Sequence, residues 1–359
     1  MREDVKRETV INKILRMVAP GTVLREGIEN ILRANTGGLI VVGANDAVLD
    51  LIDGGFPIQC DLTPSHLYEL AKMDGAIVVS EDLKRVLHAN TNLNPDHTIS
   101  TSETGTRHRT AERVAKQTGQ LVICISQRRN VITLYHGSLK YSLKDIGVIL
   151  TKANQAIQTL EKYRSVLEQA LVNLSALEFE ELVTLQEVTL VVQRFEMVLR
   201  IKSEIKRYIT ELGSEGRLIS MQLDELVSKV DEEAYLLVKD YAWEDMEQTP
   251  HQVLSMIHGL SSEEVLDNNQ LARALGYVNF TNIADEPVSS RGYRLLNKIV
   301  RLPQPVIENL VEHFKTLANV LTASIEELDK VEGIGTVRAR AVRDGLKRIQ
   351  EQVFIDRHI

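Results

Sequence analysis

Residues 148–212 contain neither glycine nor proline, the two residues that most often interrupt regular structure. The same stretch is rich in Leu, Glu, Lys, Gln and Ala, which favour helices. Its hydrophobic residues recur at steps of three and four, as in Leu182, Leu185, Val188, Val192 and Phe195. Such spacing places apolar side chains on one helix face. The stretch therefore predicts long amphipathic helices that pack as a bundle, with a coiled-coil or subunit-contact role as the alternative.

Glycine and charge divide the chain around that stretch. Of the 20 glycines, 11 lie in residues 1–140. The net charge is +1 over residues 1–140, −12 over residues 141–288 and +3 over residues 289–359. The overall charge of −8 thus comes from the middle segment and does not exclude a nucleic-acid partner for the others. We predict three domains, residues 1–145, 146–288 and 289–359.

The first segment alternates short β-branched runs with helical patterns. Runs of this kind predict buried strands, and they occupy residues 37–43, 75–79, 121–125 and 131–135. Helical patterns occupy residues 5–32, with a break at Pro20-Gly21, and residues 65–73 and 108–117. We predict an α/β first domain with a central mixed sheet flanked by helices. The middle domain, helical over about residues 145–285, and the C-terminal domain are predicted to be all-α.

The cysteines and the N-terminal segment exclude several classes of protein. Two cysteines do not make a disulfide framework in a chain of 359 residues. Cys124 lies in an apolar run, which predicts a buried thiol, and neither Cys124 nor Cys60 has a metal-ligand partner at zinc-site spacing. The first residues lack the apolar segment of a secretory signal. No stretch approaches the ~18 apolar residues of a membrane span, so we expect a cytoplasmic protein without a membrane partner.

Asp74 and Gly75 join a predicted helix to a predicted strand. The simpler interpretation is a turn that closes the helix, where Asp is well tolerated. The functional interpretation is a carboxylate at a strand edge that holds a hard divalent cation through oxygen. Gly75 would then let a ligand approach the backbone closely.

A second motif begins at Gly105, which opens a predicted helix. The first turn of that helix reads Thr106, Arg107, His108, Arg109 and Thr110. Unpaired N–H groups and the helix dipole favour an anion at a helix start, and arginine forks suit phosphate oxygens. A capped helix with solvated arginines is the alternative. Cationic residues run against the dipole there, and a bound anion would compensate for that cost.

Known phosphate-loop patterns are absent from the sequence. It has neither Gly-x4-Gly-Lys-[Ser/Thr] nor Gly-x-Gly-x-x-Gly after a predicted strand. From the residues alone, we predict that the first domain binds phosphate beside a metal ion that is held by a carboxylate. That chemistry fits nucleotidyl transfer and, nearly as well, phosphodiester hydrolysis.

The two motifs, Asp74-Gly75-Ala76 and Arg107-His108-Arg109, resemble the signature motifs of the diadenylate cyclase family. Flanking residues 34–43, 67–76 and 106–115 are similar to that family as well. With its helical middle and basic C-terminal segment, the whole chain resembles the bacterial DNA-integrity-scanning branch of the family. The resemblance implies condensation of two ATP molecules into cyclic di-AMP with release of two pyrophosphates, and Mg²⁺ or Mn²⁺ as the cofactor.

The resemblance also implies roles for particular residues. Asp74 would hold the metal and help to activate the attacking 3′-hydroxyl, and the catalytic set would be Asp74, Arg107, His108 and Arg109. Substrate would contact Gly75, Ala76, Leu93, Gly105, Thr106, Arg107, His108, Arg109, Thr110, Ser126 and Arg128. Arg129 would lie near the entrance. Gln127 stands where related cyclases often carry glutamate, and a neutral amide cannot supply the same charge.

The C-terminal segment contains a pattern typical of a helix–hairpin–helix. A helix is predicted to end near Leu328, a turn follows at Gly333, Ile334 and Gly335, and a second helix begins at Thr336. The N–H groups of such a turn meet DNA phosphates, and Arg338 and Arg340 would add positive charge. A helix–turn–helix used only for packing is the alternative.

A degenerate second copy is predicted at residues 299–305, where Pro303 and Pro305 replace the glycines and a helix follows at Val306. Hairpins of this type contact phosphate rather than bases, so specificity would come from DNA shape, such as Holliday-junction-like branches.

The resemblance implies an octamer whose cyclase domains meet face to face, association with the nucleoid, and a cyclase that responds to branched DNA. A DNA-binding scaffold with a nucleotide-sensing domain and a phosphodiesterase are the alternatives.

Overall fold

The structure, a computed structural model, describes residues 2–278 and 282–357. This part of the chain divides into two compact units. The first unit comprises the residues up to 154 together with 206–220, and the second comprises residues 155–205 together with those from 221 onward. The long helical stretch of the middle segment therefore contributes to both units. The division into three domains at residues 145 and 288 stays a prediction.

The strands are β1 (Gly38–Val42), β2 (Ile52–Asp53), β3 (Phe56–Asp61), β4 (Ala76–Val79), β5 (Arg85–Leu93), β6 (Leu121–Ser126), β7 (Val131–His136) and β8 (Leu139–Ser142). The helices up to the middle of the chain are α1 (Arg2–Met17), α2 (Val23–Arg33), α3 (Asp46–Leu49), α4 (Pro64–Leu70), α5 (Thr106–Thr118), α6 (Ile146–Glu180) and α7 (Leu185–Leu212). A 3₁₀ turn (Gly213–Gly216) leads into α8 (Arg217–Leu226). The later helices are α9 (Val230–Tyr241), α10 (Pro250–His258), α11 (Ser262–Val265), α12 (Asn268–Ala274), α13 (Tyr293–Leu296), α14 (Gln304–Phe314), α15 (Leu317–Thr322), α16 (Ile325–Leu328) and α17 (Thr336–Arg357).

The first unit is built on a mixed sheet with strand order β2-β5-β4-β1-β6-β7-β8, and β3 pairs with β5. β1 and β4 run parallel, whereas β6 is antiparallel to β1 and to β7. The four predicted strands form β1, β4, β6 and β7. The prediction missed β5, because its sequence RVLHANTNL mixes polar with apolar residues and lacks the continuous β-branched run of a buried strand.

Both faces of the central strands are buried. In β1, Ile40 and Val42 pack into a core with side chains of α1, α2 and α4. Leu39 and Val41 point to the other face, where they pack with α5. This alternation follows from the two-residue period of a strand, and it places helices on both sides of the sheet. Cys124 of β6 is fully buried there, as predicted.

The helical stretch forms α6 and α7, as the absence of glycine and proline predicts. A break at residues 181–184 separates them, although no strong breaker marks it. Glu181 adopts a left-handed φ of 57°, and Thr184 forms a β-bridge with Pro287 of the second unit. Leu182 lies in this break and is 63% exposed, so its place in the predicted apolar face was wrong. The other four residues of that pattern are buried.

The helical prediction for the middle segment holds as far as α12, which ends at Ala274, except at the connections between helices such as residues 242–249. Residues 275–278 and 282–285 lie outside helices, and residues 279–281 lie outside the described part of the chain. Within the described part, no helix combines the length and the apolarity needed to span a bilayer.

The second unit holds a buried ion pair. Arg294 is 2% exposed, and its guanidinium pairs with Glu178 and donates to Ser175 Oγ at 3.1 Å. Tyr241 Oη donates to Glu178 Oε1 at 2.7 Å. Asp240 accepts the backbone N–H of Arg294 at 3.0 Å. A buried charge is tolerated when it is paired and hydrogen-bonded, and this network joins α6, α9 and α13.

The predicted hairpin forms between α16 and α17, which end and begin at Leu328 and Thr336. The second hairpin lies between α13 and α14. Gly333 and Arg301 both adopt a left-handed φ, 83° and 63° respectively. Each lies three residues before the first residue of the next helix, which is Thr336 for Gly333 and Gln304 for Arg301. Arg301, and not Pro303, therefore takes the place of Gly333, and Pro303 takes the place of Gly335. The proposed equivalence of Pro305 with a glycine was wrong, since α14 begins at Gln304 and contains Pro305.

Candidate functional site

The register of the sheet brings several predicted site residues to one edge. Ala76 at the start of β4 lies opposite Leu39 of β1, and Gly38 lies opposite Ile125 near the end of β6. Ala76 is also paired with Thr91 of β5. Because these positions are neighbours in adjacent strands, the segments that follow or precede them meet at this edge. Those segments are Asp74-Gly75, Leu93 and the turn at residues 126–130.

Helix α5 begins at the same edge and lacks a side-chain cap. Its N-cap residue is Gly105, which offers no side-chain acceptor, and its first turn has no acidic residue. Helices α2 and α4, by contrast, are capped by the Thr22 and Thr63 side chains. Free N–H groups and positive potential therefore remain at the start of α5, where Arg107 adds further donors. Such an arrangement is suited to phosphate.

A cavity of about 420 Å³ opens in front of this helix start. One wall consists of Glu103, Thr104, Gly105, Arg107 and His108, and the other consists of Ile125, Ser126, Gln127, Arg128 and Arg129. The structure thus brings together the two motifs that lie on either side of β6 in the sequence. Three arginines and a helix N-terminus around one cavity favour an anionic ligand.

The Arg107 guanidinium occupies space that is open because Gly37 has no side chain. A Cβ atom on Gly37 would overlap the Arg107 guanidinium and would lie 3.2 Å from the Ile125 carbonyl oxygen. Gly37 therefore leaves the space through which Arg107 passes the start of β1 on its way to the cavity.

Seven of the predicted site residues of the first domain do not line this cavity. They are the predicted metal ligand Asp74 and the predicted substrate contacts Gly75, Ala76, Leu93, Thr106, Arg109 and Thr110. Arg109 instead binds the loop before α5, because its Nε donates to the Glu103 carbonyl at 3.2 Å. Asp74 is exposed beside β4, whereas Ala76 and Leu93 are buried in their strands.

The backbone conformation and the neighbouring strand both require a glycine at position 75. It adopts a φ of 97°, and a Cβ there would lie 2.8 Å from the Thr91 carbonyl oxygen of β5. The close approach predicted from its lack of a side chain is thus made by a neighbouring strand. Thr91 completes the contact by donating its hydroxyl to the Ala76 carbonyl at 3.1 Å.

A chain of polar contacts leads from the cavity into the sheet. His108 Nδ1 lies 3.0 Å from Tyr135 Oη, and Tyr135 Oη donates to Glu103 Oε1 at 2.8 Å. Glu103 also pairs with Lys140. Burial raises the pKa of Glu103, but the hydrogen bonds from Lys140 and Tyr135 outweigh it and hold this pKa below its usual value. Burial lowers the pKa of His108, assisted by nearby cations such as Arg129 and opposed by Glu103.

Sequence reasoning gave no role to Glu103 or Tyr135. The position of Glu103 just before the Gly105 turn is a signal that could have indicated it. Tyr135 offers no such signal, because a tyrosine in an apolar strand is ordinary. Its contact with His108 depends on the packing of α5 against β7.

The second candidate surface is the hairpin between α16 and α17. Gly333, Gly335, Thr336, Arg338 and Arg340 are exposed. Ile334 is 7% exposed, and its N–H donates to the Val331 carbonyl at 3.0 Å. Ile334 therefore anchors the turn in the core with its N–H already hydrogen-bonded, and its contact with DNA stays a prediction. Arg338 Nη1 donates to the Gly333 carbonyl at 2.6 Å, whereas Arg340 extends from the next turn of α17.

Comparisons with known proteins cover nearly the whole chain. Residues 25–139 match the family described as "DisA bacterial checkpoint controller nucleotide-binding". Residues 143–284 match "DisA bacterial checkpoint controller linker region". Residues 316–345 match "Helix-hairpin-helix motif". These matches confirm the predicted fold class of an α/β first domain followed by two helical regions.

Relatives that share more than half of their residues with this chain include two proteins named DNA integrity scanning protein DisA. The relative from Carboxydothermus hydrogenoformans is 60% identical over 338 residues, which is 94% of this chain and 96% of the relative. The relative from Bacillus subtilis is 58% identical over 358 residues, which is 100% of this chain and 99% of the relative. The resemblance of the sequence to the DNA-integrity-scanning branch is thereby confirmed.

Proposed function

Because the chain belongs to the DNA integrity scanning protein family, whose nucleotide-binding domain is of the diadenylate cyclase type, we propose that it condenses two ATP molecules into cyclic di-AMP and two pyrophosphates. One observation carries this proposal. The uncapped start of α5 faces the arginines of the 126–130 turn across a cavity of about 420 Å³.

The cavity is suited to hold a triphosphate. The N–H groups at the start of α5 and the Arg107 fork provide donors on one wall, and Ser126, Arg128 and Arg129 provide them on the other. Positioning accounts for most of the catalysis in phosphoryl-group chemistry. A wall of fixed donors would orient the α-phosphorus for in-line attack by the 3′-hydroxyl of the other ATP.

Asp74 is the residue that we assign to Mg²⁺ or Mn²⁺. Across the described residues, no three His, Cys, Asp or Glu side chains are grouped as they would be around a protein-bound ion. One exposed carboxylate fits a Mg²⁺ that is bound by one or two carboxylates plus substrate phosphates. When bound, the ion would neutralise phosphate charge and lower the pKa of a coordinated oxygen.

The reaction joins two ATP molecules symmetrically, which requires two half-sites. We propose that two cyclase domains meet face to face across a two-fold axis, within an octamer. A monomer holds one half-site and would be inactive. Active fractions from size-exclusion chromatography should therefore contain oligomer alone. Full specific activity in a monomer would contradict the assembly.

Direct product analysis tests the cyclase. The protein is incubated with ATP and Mg²⁺ or Mn²⁺, and products are identified by mass spectrometry. Cyclic di-AMP should form, and Asp74→Asn should abolish it without changing the circular dichroism spectrum. Absence of cyclic di-AMP with either metal would refute the function, and hydrolysis of added cyclic di-AMP would indicate a phosphodiesterase instead.

For the hairpins, we propose binding to branched DNA that lowers cyclase activity. Gly335, Thr336 and Arg340 present backbone donors and positive charge to phosphate. The net charge of +3 over residues 289–359 is modest, so avidity from several copies would strengthen binding. Arg340→Ala should weaken binding to a four-way junction and reduce the slope of log affinity against log salt by about 1. An unchanged cyclase rate with bound junction DNA would reject the coupling.

A further inference from the structure

The two ring nitrogens of His108 have different surroundings. Nδ1 lies 3.0 Å from Tyr135 Oη. Nε2 is buried and finds no hydrogen-bond partner among the residues that the structure describes. His108 lines the cavity that we assign to nucleotide. A buried polar atom without a partner in a native protein calls for an explanation, such as a ligand that completes its hydrogen bonding.

The direction of the hydrogen bonds determines which nitrogen carries the proton. Tyr135 is 1% exposed, and burial together with Glu103 raises the pKa of its hydroxyl well above the usual value. Its one O–H donates to the Glu103 carboxylate, which can only accept. The Tyr135 oxygen is therefore left to accept from His108 Nδ1. In the neutral ring, a proton on Nδ1 means a lone pair on Nε2.

We propose that Tyr135 and Glu103 are positioning residues of the nucleotide site, which hold His108 with its proton on Nδ1 and its Nε2 lone pair free for the bound nucleotide. Lys140, paired with Glu103, keeps that carboxylate ionised. The arrangement is that of a base oriented by a partner behind it, in which the partner selects the tautomer. This inference rests on the proposed function, since it concerns the same cavity.

The tautomer defines what the His108 ring can bind. A lone pair on Nε2 repels phosphate oxygens, so the phosphates are left to the helix N–H groups and the arginines. The Nε2 lone pair would instead accept a hydrogen bond or bind a cation. A nucleotide hydroxyl and a cation carried by the phosphates are the two sources of that chemistry in a complex with ATP.

Solid-state ¹⁵N NMR of the full chain with labelled histidine tests the tautomer directly. The His108 signals are identified by their loss in His108→Gln. We expect the proton on Nδ1 in the unsubstituted protein. In Glu103→Ala, the Tyr135 hydroxyl loses its acceptor and turns toward His108 Nδ1, so the proton should move to Nε2. Glu103→Gln keeps a side-chain oxygen as acceptor and should keep the proton on Nδ1.

Tyr141→Phe is the matched control. Tyr141 Oη also donates to a glutamate of the first unit, Glu211, at 2.6 Å, but neither residue lines the cavity. Its loss should leave the His108 spectrum and the kinetics unchanged. A proton on Nε2 in the unsubstituted protein, or an unchanged tautomer in Glu103→Ala, would overturn the inference.

A non-reacting ATP analogue distinguishes the two sources of the ligand. A shift of the Nε2 signal with analogue alone indicates a nucleotide hydroxyl. A shift that needs Mg²⁺ as well indicates the cation. Absence of any shift, with binding shown by calorimetry, would overturn the assignment of Nε2 to the nucleotide.

Kinetics give a second readout. Tyr135→Phe should lower kcat by about 10- to 100-fold with little change in KM, because it alters the orientation of one group and removes no phosphate donor. An unchanged kcat would overturn the positioning role. If the unsubstituted protein forms no cyclic di-AMP, the proposed function fails, and the spectra still decide the tautomer.

Discussion

The Arg107 guanidinium occupies the space that a side chain at Gly37 would fill. The two residues are far apart in the sequence, yet the position of one depends on the absence of atoms in the other. The flanking segment 34–43, whose similarity to the cyclase family includes Gly37, thus has a physical function at the cavity. It keeps open the path of an arginine that would bind phosphate.

Gly37→Ala should therefore weaken ATP binding. The added methyl group would displace Arg107, and loss of a charge-assisted contact of about 1.5–3 kcal/mol raises KM by roughly 10- to 100-fold. Gly38→Ala is the control, because a Cβ there would make ordinary contacts of 3.5 Å or more. In an Arg107→Ala background the effect of Gly37→Ala should disappear. Equal effects in both backgrounds would show that the two residues act independently.

Gly75→Ala should destabilise the first unit. A left-handed φ of 97° and a contact of 2.8 Å with the Thr91 carbonyl oxygen both oppose a side chain. The backbone term alone costs about 1–3 kcal/mol. Gly54→Ala isolates that term, because Gly54 also has a positive φ but has open space around it. Thermal unfolding should show a larger fall in Tm for Gly75→Ala, and equal shifts would exclude the steric contribution.

The ion pair between Arg294 and Glu178 should be essential to the second unit. Arg294→Met leaves Glu178 buried without its counter-ion, and losses of this kind cost about 3–5 kcal/mol. Arg357→Met breaks the half-exposed pair with Glu180, at 2.9 Å, and should cost about 0–1 kcal/mol. Urea unfolding measures both. Similar losses in the free energy of unfolding for the two variants would mean that burial adds nothing to the contribution of the Arg294–Glu178 pair.

Cys124 should be unreactive in the folded protein. It is fully buried, and burial raises the pKa of its thiol to about 12, so little reactive thiolate exists at neutral pH. Cys60 is half-buried and should react with a thiol reagent in the native state. Mass spectrometry of briefly alkylated protein should find the label on Cys60, with Cys124 labelled after unfolding. Rapid labelling of native Cys124 would contradict its burial.

Composition and local pattern were sufficient for much of the fold. The long helices follow from residues 148–212, the central strands from their β-branched runs, and the hairpin from Gly333 and Gly335. These features depend on helix propensity, on periodicity and on turn chemistry, which act between residues close in the sequence. The uncapped start of α5 after Gly105, to which we assign phosphate, was predictable for the same reason.

Long-range contacts decided the remainder. The break at Glu181 accompanies pairing of residues 183–185 with residues 286–288, and β5 forms because it pairs with β4 and β3. Neither has a local signal. The same holds at the site, where the sequence identified His108 but could not assign its ring a role. The Tyr135 hydroxyl on β7 and the Glu103 carboxylate meet His108 through tertiary packing, and hydrogen-bond direction depends on which groups are brought within reach.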